Sequence, residues 1–438
     1  MLMEEIAAAT TRWDAAVALL RAWRAAGVGA GHRDCDDDFL ALHDEVLDHF
    51  DAASDETDLR AVDRTKIAEW TAAGTDAVAI DAVAHGLGFA ASATFAAAWR
   101  ARVGGDRHRL RAGDVYPAPL PPWPSRLGAA LRTPSGWSTG YAADEHPFVR
   151  VHRGGPIAVD VDFTLWRPLR AIADGLDRVA TLWPNAGLAE LGLVPPRSPA
   201  FPVAAVDEVA QGDRVLALLE AALARDATVI VLPELSTTPA IVERVAERLR
   251  REASVRLVVC GSWHGRAADG TPANVAEGLL AGRPERLRHR KLAPFAHPFP
   301  RDPAKRVLEG IVAADPPVLT VYQADRWRIA ILICKDVLQD DVAEAVERAG
   351  VNLLLVPAMS ETVQPFVDRA GQHRLKSQAL TVCVNGPLVW GDAVPQPAAF
   401  VSRSYTPGAV IQATATADAA LTLFSVHDGA GQIVDKIG

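Results

Sequence analysis

Three residues in this chain stand where buried apolar runs stop, and each carries a group that can do chemistry. Glu234 follows VIVLP, Cys334 follows IAILI, and Lys291 lies in RHRKLAPF. In layered α/β proteins the ends of neighbouring strands converge on one rim, the usual place for an active site. A thiol, a carboxylate and an ammonium group gathered there are the parts of a nucleophilic reaction. One attacks, one takes the proton, and one holds developing negative charge. Singly each is weak evidence. A buried cysteine is usually an inert small hydrophobe, and a lysine in a basic run usually faces water. The three together are what composition alone rarely produces. Cysteine is also scarce: Cys35, Cys260, Cys334 and Cys383 are the four in the chain, with no CxxC pair. Such spacing argues against a disulfide scaffold or a zinc ribbon, and for a reducing, cytoplasmic setting.

The elements that must position these residues are read from periodicity. From about residue 156 strands and helices alternate. IAVDVDF (157–163) reads as a strand, LWRPLRAIADGLDRVATLW (165–183) as a helix, FPVAAVDEV (201–209) as a strand, and GDRVLALLEAALARDA (212–227) as an amphipathic helix. TVIVLPEL, VRLVVCGSW, RIAILICKD and VNLLLVPAM follow as apolar strands, with DDVAEAVERAG a helix between the last two. Continuous apolar strands alternating with helices predict an α/β layered core. The tail from 398 reads as strand-rich, with a turn at Pro407-Gly408. Residues 1–112 read as an all-helical module without a convincing strand, and the Pro- and Gly-rich 113–155 as a linker. A chain of 438 residues has room for two or three domains, and its 49% apolar and 23% charged residues exclude a wholly disordered chain. A net charge of −9 gives no general attraction to nucleic acid or anionic membrane. No apolar run reaches the length of a membrane span, and no signal-peptide pattern opens the sequence.

VLPEL, RKLAPF and ILICKD resemble the three signature blocks of the nitrilase superfamily, the carbon–nitrogen hydrolases. CGSWH with Asn274 beyond it is similar to that family's Gly-Ser strand and the hairpin that follows. GVNLLLVPAM, QHRLKSQALTVCVNG and FVSRSYTPGAV resemble later family segments, so the likeness runs over about residues 200–428. It implies a four-layer αββα sandwich over 156–438 and amide hydrolysis without metal or cofactor. Cys334 would attack the carbonyl carbon, and Glu234 would take the thiol proton and later activate water. Lys291 and the backbone N–H of Lys335 would hold the oxyanion. It also implies a second glutamate that positions substrate and water. Glu309 in LEGI stands at a suitable distance before Cys334, and His297 in PFAHPF is the rival. The Lys335 side chain, unusual beside the nucleophile, is either solvated or favours an anionic substrate. Trp263 and His264 end a strand near the rim, and Met359, Ser360 and Glu361 fall where the family has pocket residues. Nitrile hydrolysis and acyl transfer use the same triad and remain alternatives. A homo-oligomer is implied as well, with a small amide or nitrile as the partner molecule.

Residues 80–111 resemble the second helix-turn-helix of AraC-type regulators. Ala84, Gly88-Phe89, Ser92, Phe95, Trp99, Gly104 and Arg111 stand at that pattern's positions. Gly88 would turn the chain between two helices, with 91–102 as the recognition helix. That helix is nearly all Ala, Ser and Thr, with few groups able to read bases. Residues 1–112 also carry 19 acidic against 12 basic side chains. A module for packing or partner binding is therefore preferred over DNA binding. The rival class is a regulator whose hydrolase-like domain senses a small molecule. DCDDDFLALHDE (34–45) fits a calcium loop at its acidic positions but has Phe39 where the sharp turn needs glycine, so it reads as a helix start.

Overall fold

The structure is a computed structural model describing residues 1–25, 37–50, 57–72, 77–118, 149–174, 176–191, 205–254, 256–299, 302–324, 327–377, 379–387, 397–402, 410–414, 420–426 and 433–437. Cys35, the Pro-rich stretch 119–148 and the Pro407-Gly408 turn fall outside these residues. Contacts divide the chain into Met1–Gly154 (with Asp325–Trp327) and the remainder from Gly155 to Gly438.

The first unit holds helices α1 (Leu2–Ala8), α2 (Arg12–Ala25), α3 (Asp37–Phe50), α4 (Ala61–Trp70) and α5 (Ala77–Val103). Trp13 of α2 meets Phe95 of α5 edge-on at 5.4 Å between ring centroids, and Phe39 of α3 meets His85 of α5 at 6.0 Å. The two-helix reading of 80–111 does not hold, because α5 runs unbroken through Gly88 and through 91–102. Alanine is the strongest helix former, and its abundance here outweighs the roughly 1 kcal/mol that each of the two interior glycines, Gly86 and Gly88, costs. The region also contains strand: β1 (Arg107–Arg109), and β2 (Val115–Pro117) paired antiparallel with β3 (Val149–Val151). The expected linker thus begins and ends in paired strand. Among the described residues no helix is long and apolar enough to cross a membrane.

The second unit opens with β4 (Ala158–Asp162), α6 (Trp166–Asp174), β5 (Arg178–Leu182), α7 (Glu208–Leu223), β6 (Val229–Val231) and α8 (Pro239–Leu249). Next come β7 (Leu257–Val259), β8 (Trp263–Arg266), β9 (Pro272–Leu280), β10 (Arg286–Arg290), β11 (Ala296–Phe299) and β12 (Asp302–Leu308). Then follow β13 (Val318–Ala324), β14 (Trp327–Ile331), α9 (Lys335–Leu338), α10 (Asp340–Ala349), β15 (Leu353–Ala358) and α11 (Gln364–Ser377). The last elements are β16 (Leu380–Asn385), β17 (Pro397–Ser402), β18 (Val410–Thr414), β19 (Leu421–Ser425) and β20 (Ile433–Ile437).

These strands form an α/β sandwich. One sheet has the order β4-β13-β14-β15-β16-β17-β18, and the other β10-β9-β7-β6-β5-β19-β20 with β8 on β9. Their centres, β14-β15-β16 and β5-β6-β7, are parallel. Buried on both faces, parallel strands read as unbroken apolar runs. The outer face of the second sheet presents alternate residues, among them Leu182, Ile230, Val258 and Leu423, to Leu219, Ala222, Ile241 and Val245 of α7 and α8 in one apolar cluster. Helix α6 packs on β13, α10 on β4 and β13, and α11 on β16 and β17, which completes four layers, αββα. The inner faces meet directly. The Tyr322 hydroxyl of β13 accepts from Arg288 N of β10 at 2.6 Å and donates to its carbonyl at 3.1 Å.

Two element assignments change. The expected helix 165–183 ends at Asp174, and Arg178–Leu182 is strand β5 in the middle of the sheet. Val179 and Leu182 are fully buried there, and pairing with β6 and β19 overrides the local helical pattern. The expected strand 201–209 instead contains the start of α7. The Asp207 side chain accepts from Ala210 N at 2.9 Å, an N-cap that begins the helix at Glu208.

Candidate active site

Glu234 leaves β6 through Leu232-Pro233 into a turn with Leu235 in the left-handed region at φ 56°. Three neighbours make that turn possible. The Leu235 N–H donates to Ser262 Oγ at 3.1 Å, and the Ser236 hydroxyl to the Pro233 carbonyl at 2.6 Å. Gly261, at φ 65°, lies so close that a Cβ there would sit 2.1 Å from the Pro233 oxygen. The Gly-Ser pair after β7 is therefore the support under Glu234. Across the sandwich Glu234 N donates to Ala358 O at the end of β15, at 3.3 Å.

Cys334 stands three residues past the end of β14 and starts α9 at φ 48° and ψ −110°. A non-glycine residue with positive φ is strained and persists only where its surroundings hold it. Here the hold is Cys334 N donating to Pro357 O at 2.8 Å. The sulfur lies 3.6 Å from the Met359 carbonyl and within hydrogen-bonding reach of the Glu234 carboxyl. Lys291 comes directly after β10, and its N–H donates to Asn274 O of β9 at 2.9 Å. Glu309 comes directly after β12, and its N–H donates to the Phe295 carbonyl at 2.7 Å.

The side chains close into a buried polar ring. The Lys291 ammonium, 1% exposed, donates to Glu234 Oε1 and to Glu309 Oε2, each at 2.7 Å. Asn274 Nδ2 donates to Glu234 Oε1 and Glu309 Oε1, each at 2.9 Å. His264, opposite Asn274 in the β8–β9 register, has Nε2 2.9 Å from Glu309 Oε1. A carboxylate only accepts, so that nitrogen carries the proton. Phe295 N completes the set on Glu309 Oε2 at 2.9 Å.

One lysine between two carboxyl groups cannot serve both equally. Burial pushes the Glu234 carboxyl up and the negative charge of Glu309 pushes it further, against the pull of Lys291. Burial also acts upward on Glu309, but its His264 bond, the Lys291 charge and hydrogen bond, and the Phe295 N–H hold it down at about 2. Burial would lower the Lys291 ammonium, yet the charges of Glu234, Glu309 and Cys334 keep it firmly protonated. Burial and the facing Glu234 push the Cys334 thiol well up. Glu309 is thus the permanent counter-ion of Lys291, and Glu234 is the carboxyl free to gain and lose a proton beside the thiol. The Lys291 and Asn274 bonds to Glu234 both fall on Oε1. The arrangement can move a proton between sulfur and carboxyl while a fixed cation stays alongside.

Glu234, Lys291, Cys334, Glu309 and His264 converge on this ring. The backbone of His297 sits on β11 opposite Val307, and its side chain lies outside the described ones. Trp263, next to His264 on β8, packs against the apolar cluster under α7 and α8 instead of entering the ring. Lys335 turns its ammonium to the Pro294 carbonyl at 3.0 Å. Met359 packs with Leu191 and Leu235 near the sulfur. Ser360 is locked to Asn385 by a pair of 2.7 Å bonds, and Glu361 is exposed. Cys260 and Cys383 are fully buried, with thiols raised by burial and, at Cys260, by the charge of Glu277 as well. Sequence reasoning placed Asn274 on a hairpin without seeing that its amide bridges both carboxylates. It missed His289 and Asp336 altogether, although each stands two residues from a reactive side chain. Among the described residues no three His, Cys, Asp or Glu side chains are placed to hold a metal ion.

Solved structures with a related course of chain include an amidase from Nesterenkonia sp., 17% identical, covering 57% of this chain and 90% of that one at a TM-score of 0.41. A glutamine-dependent NAD+ synthetase from Acinetobacter baumannii is 16% identical, covering 60% of this chain and 48% of that one, also at 0.41. No family model and no curated relative matches the sequence. Likeness at this level carries no argument about activity, which rests on the ring itself.

Proposed function

We propose that the second unit is a thiol hydrolase of small, non-peptide carbon–nitrogen bonds, with a carboxamide as substrate. The observation that carries this reading is the Glu234–Lys291–Glu309 ring, held at 2.7 Å on each side of the ammonium, against the thiol of a strained Cys334. Glu234 takes the thiol proton as sulfur attacks the carbonyl carbon, and the C–N bond of the tetrahedral intermediate then breaks. The proton returns from Glu234 to the departing amine. The oxyanion is met by the Lys291 ammonium and by the N–H of Lys335, the first of a helix and so without a partner inside it. Water activated by Glu234 then cleaves the thioester and releases the acid. Glu309 neutralises Lys291 throughout, which keeps Glu234 basic enough to act.

The test is ammonia release from a panel of primary amides, ureas, N-carbamoyl amino acids and nitriles, with Cys334→Ala as control and intact mass to detect an acyl adduct. Turnover and an adduct that both vanish in Cys334→Ala support the reading. A panel that yields neither overturns it, and release from nitriles alone moves the reaction to nitrile hydrolysis.

A further inference from the structure

Asp336 and His289 form a second buried pair, separate from the ring. Asp336 is wholly buried and His289 is 5% exposed. The His289 Nε2–H donates to Asp336 Oδ2 at 2.8 Å. The same carboxylate accepts from Leu292 N at 2.9 Å and Ala293 N at 2.8 Å on Oδ1, and from Ile333 N at 3.3 Å on Oδ2. Three of these four donors belong to the Lys291 segment, and the fourth to the nucleophile's own turn. One side chain therefore grips the chain on both sides of Lys291, at position 289 and at positions 292–293, from a point two residues past Cys334.

Strand periodicity gives the grip its direction. His289 and Lys291 are two apart along β10 and its end, so their side chains leave on the same side. When Asp336 holds the imidazole and the two N–H groups after Lys291, the ammonium cannot slide along or rotate away without breaking a charge-assisted bond in a dry interior. Tyr322 holds the same strand one residue earlier, at Arg288.

We infer that Asp336 and His289 are positioning residues that fix the distance between the Lys291 ammonium and the Cys334 thiol, and so set how readily the thiol loses its proton. The inference rests on the thiol-hydrolase reading, but its test does not need a substrate. The groups facing the thiol are Glu234, Lys291 and the Met359 carbonyl. Of these Lys291 alone favours the thiolate by charge, so loosening it raises the pH at which Cys334 reacts.

The experiment is carbamidomethylation of the full-length protein by iodoacetamide, assigned to Cys334 by peptide mass, as a function of pH. The wild type is compared with Asp336→Asn, His289→Phe and His289→Gln, with melting temperatures taken in parallel. Asp336→Asn and His289→Phe are expected to react roughly tenfold or more slowly at neutral pH, since small misplacements at a reacting centre cost this much. Their profiles should move up by about one pH unit, the size of one nearby charge. His289→Gln, which keeps a donor for Asp336, is expected to recover most of the rate. Folded Phe and Asn variants with the wild-type profile would overturn the inference. So would a Gln variant as slow as Phe. If Asp336→Asn fails to fold, the Phe and Gln variants decide alone. Failure of the hydrolase reading appears separately, as a normal alkylation profile with no turnover of any amide.

Discussion

Glu309→Gln isolates the charge on which the ring depends. The substitution keeps the shape of the side chain, yet all four of its partners are donors: Lys291 Nζ, Asn274 Nδ2, His264 Nε2 and Phe295 N. A carboxylate accepts on both oxygens, whereas a carboxamide turns an NH2 toward two of them. The carboxyl is held down from its usual 4.5 to about 2. Each pH unit of difference between folded and unfolded chains is about 1.4 kcal/mol, so the ionised group contributes about 3 kcal/mol to stability. A lowered folded value means this contribution is complete above the unfolded value and fades as pH falls toward the folded one. Urea unfolding followed by tryptophan fluorescence should therefore find Glu309→Gln less stable by about 3 kcal/mol at pH 7, and by less than half of that at pH 3. A difference under about 1 kcal/mol at pH 7, or one that is the same at both pH values, would refute the assignment of Glu309 as the fixed counter-ion of Lys291.

Two further outcomes follow from the same geometry. Glu234→Gln should abolish turnover yet unfold at the same or higher urea concentration than wild type at pH 7, because the raised carboxyl costs stability once pH exceeds its unfolded value. A loss of more than about 1 kcal/mol in that variant would show that the Glu234 charge supports the fold instead. Gly261→Ala should destabilise the chain by about 2 kcal/mol or more, since its Cβ would press on the Pro233 carbonyl in a left-handed backbone, and a wild-type urea midpoint would remove Gly261 from the support of Glu234.

Much of this molecule is legible in the sequence because its physics is local. A strand buried on both faces must be apolar throughout, so VIVLP, IAILI and NLLLVPA announce the sheet centres, and the Glu and Cys that end the first two stand out. The Asp340–Ala349 helix is announced as well, by its apolar face and by Gly350 in the left-handed region beyond it. Local pattern fails where long-range pairing decides. RVATL has a composition that suits the end of a helix, and only the vacancy between β6 and β19 makes it a strand. Alanine-rich α5 fails in the opposite sense: a glycine that marks a turn elsewhere is carried through by its neighbours' propensity.

The sequence by itself determined which reactive residue types stand at strand ends, because strand ends follow from where apolar runs stop. The tertiary structure alone decided how the charges are shared. That Lys291 lies between Glu234 and Glu309, that one Asn274 amide holds both carboxylates, and that Asp336 grips both sides of Lys291 all depend on distances between segments far apart in the chain. Burial then turns those distances into proton affinities, since charge in a dry interior is stabilised only by the partners it touches.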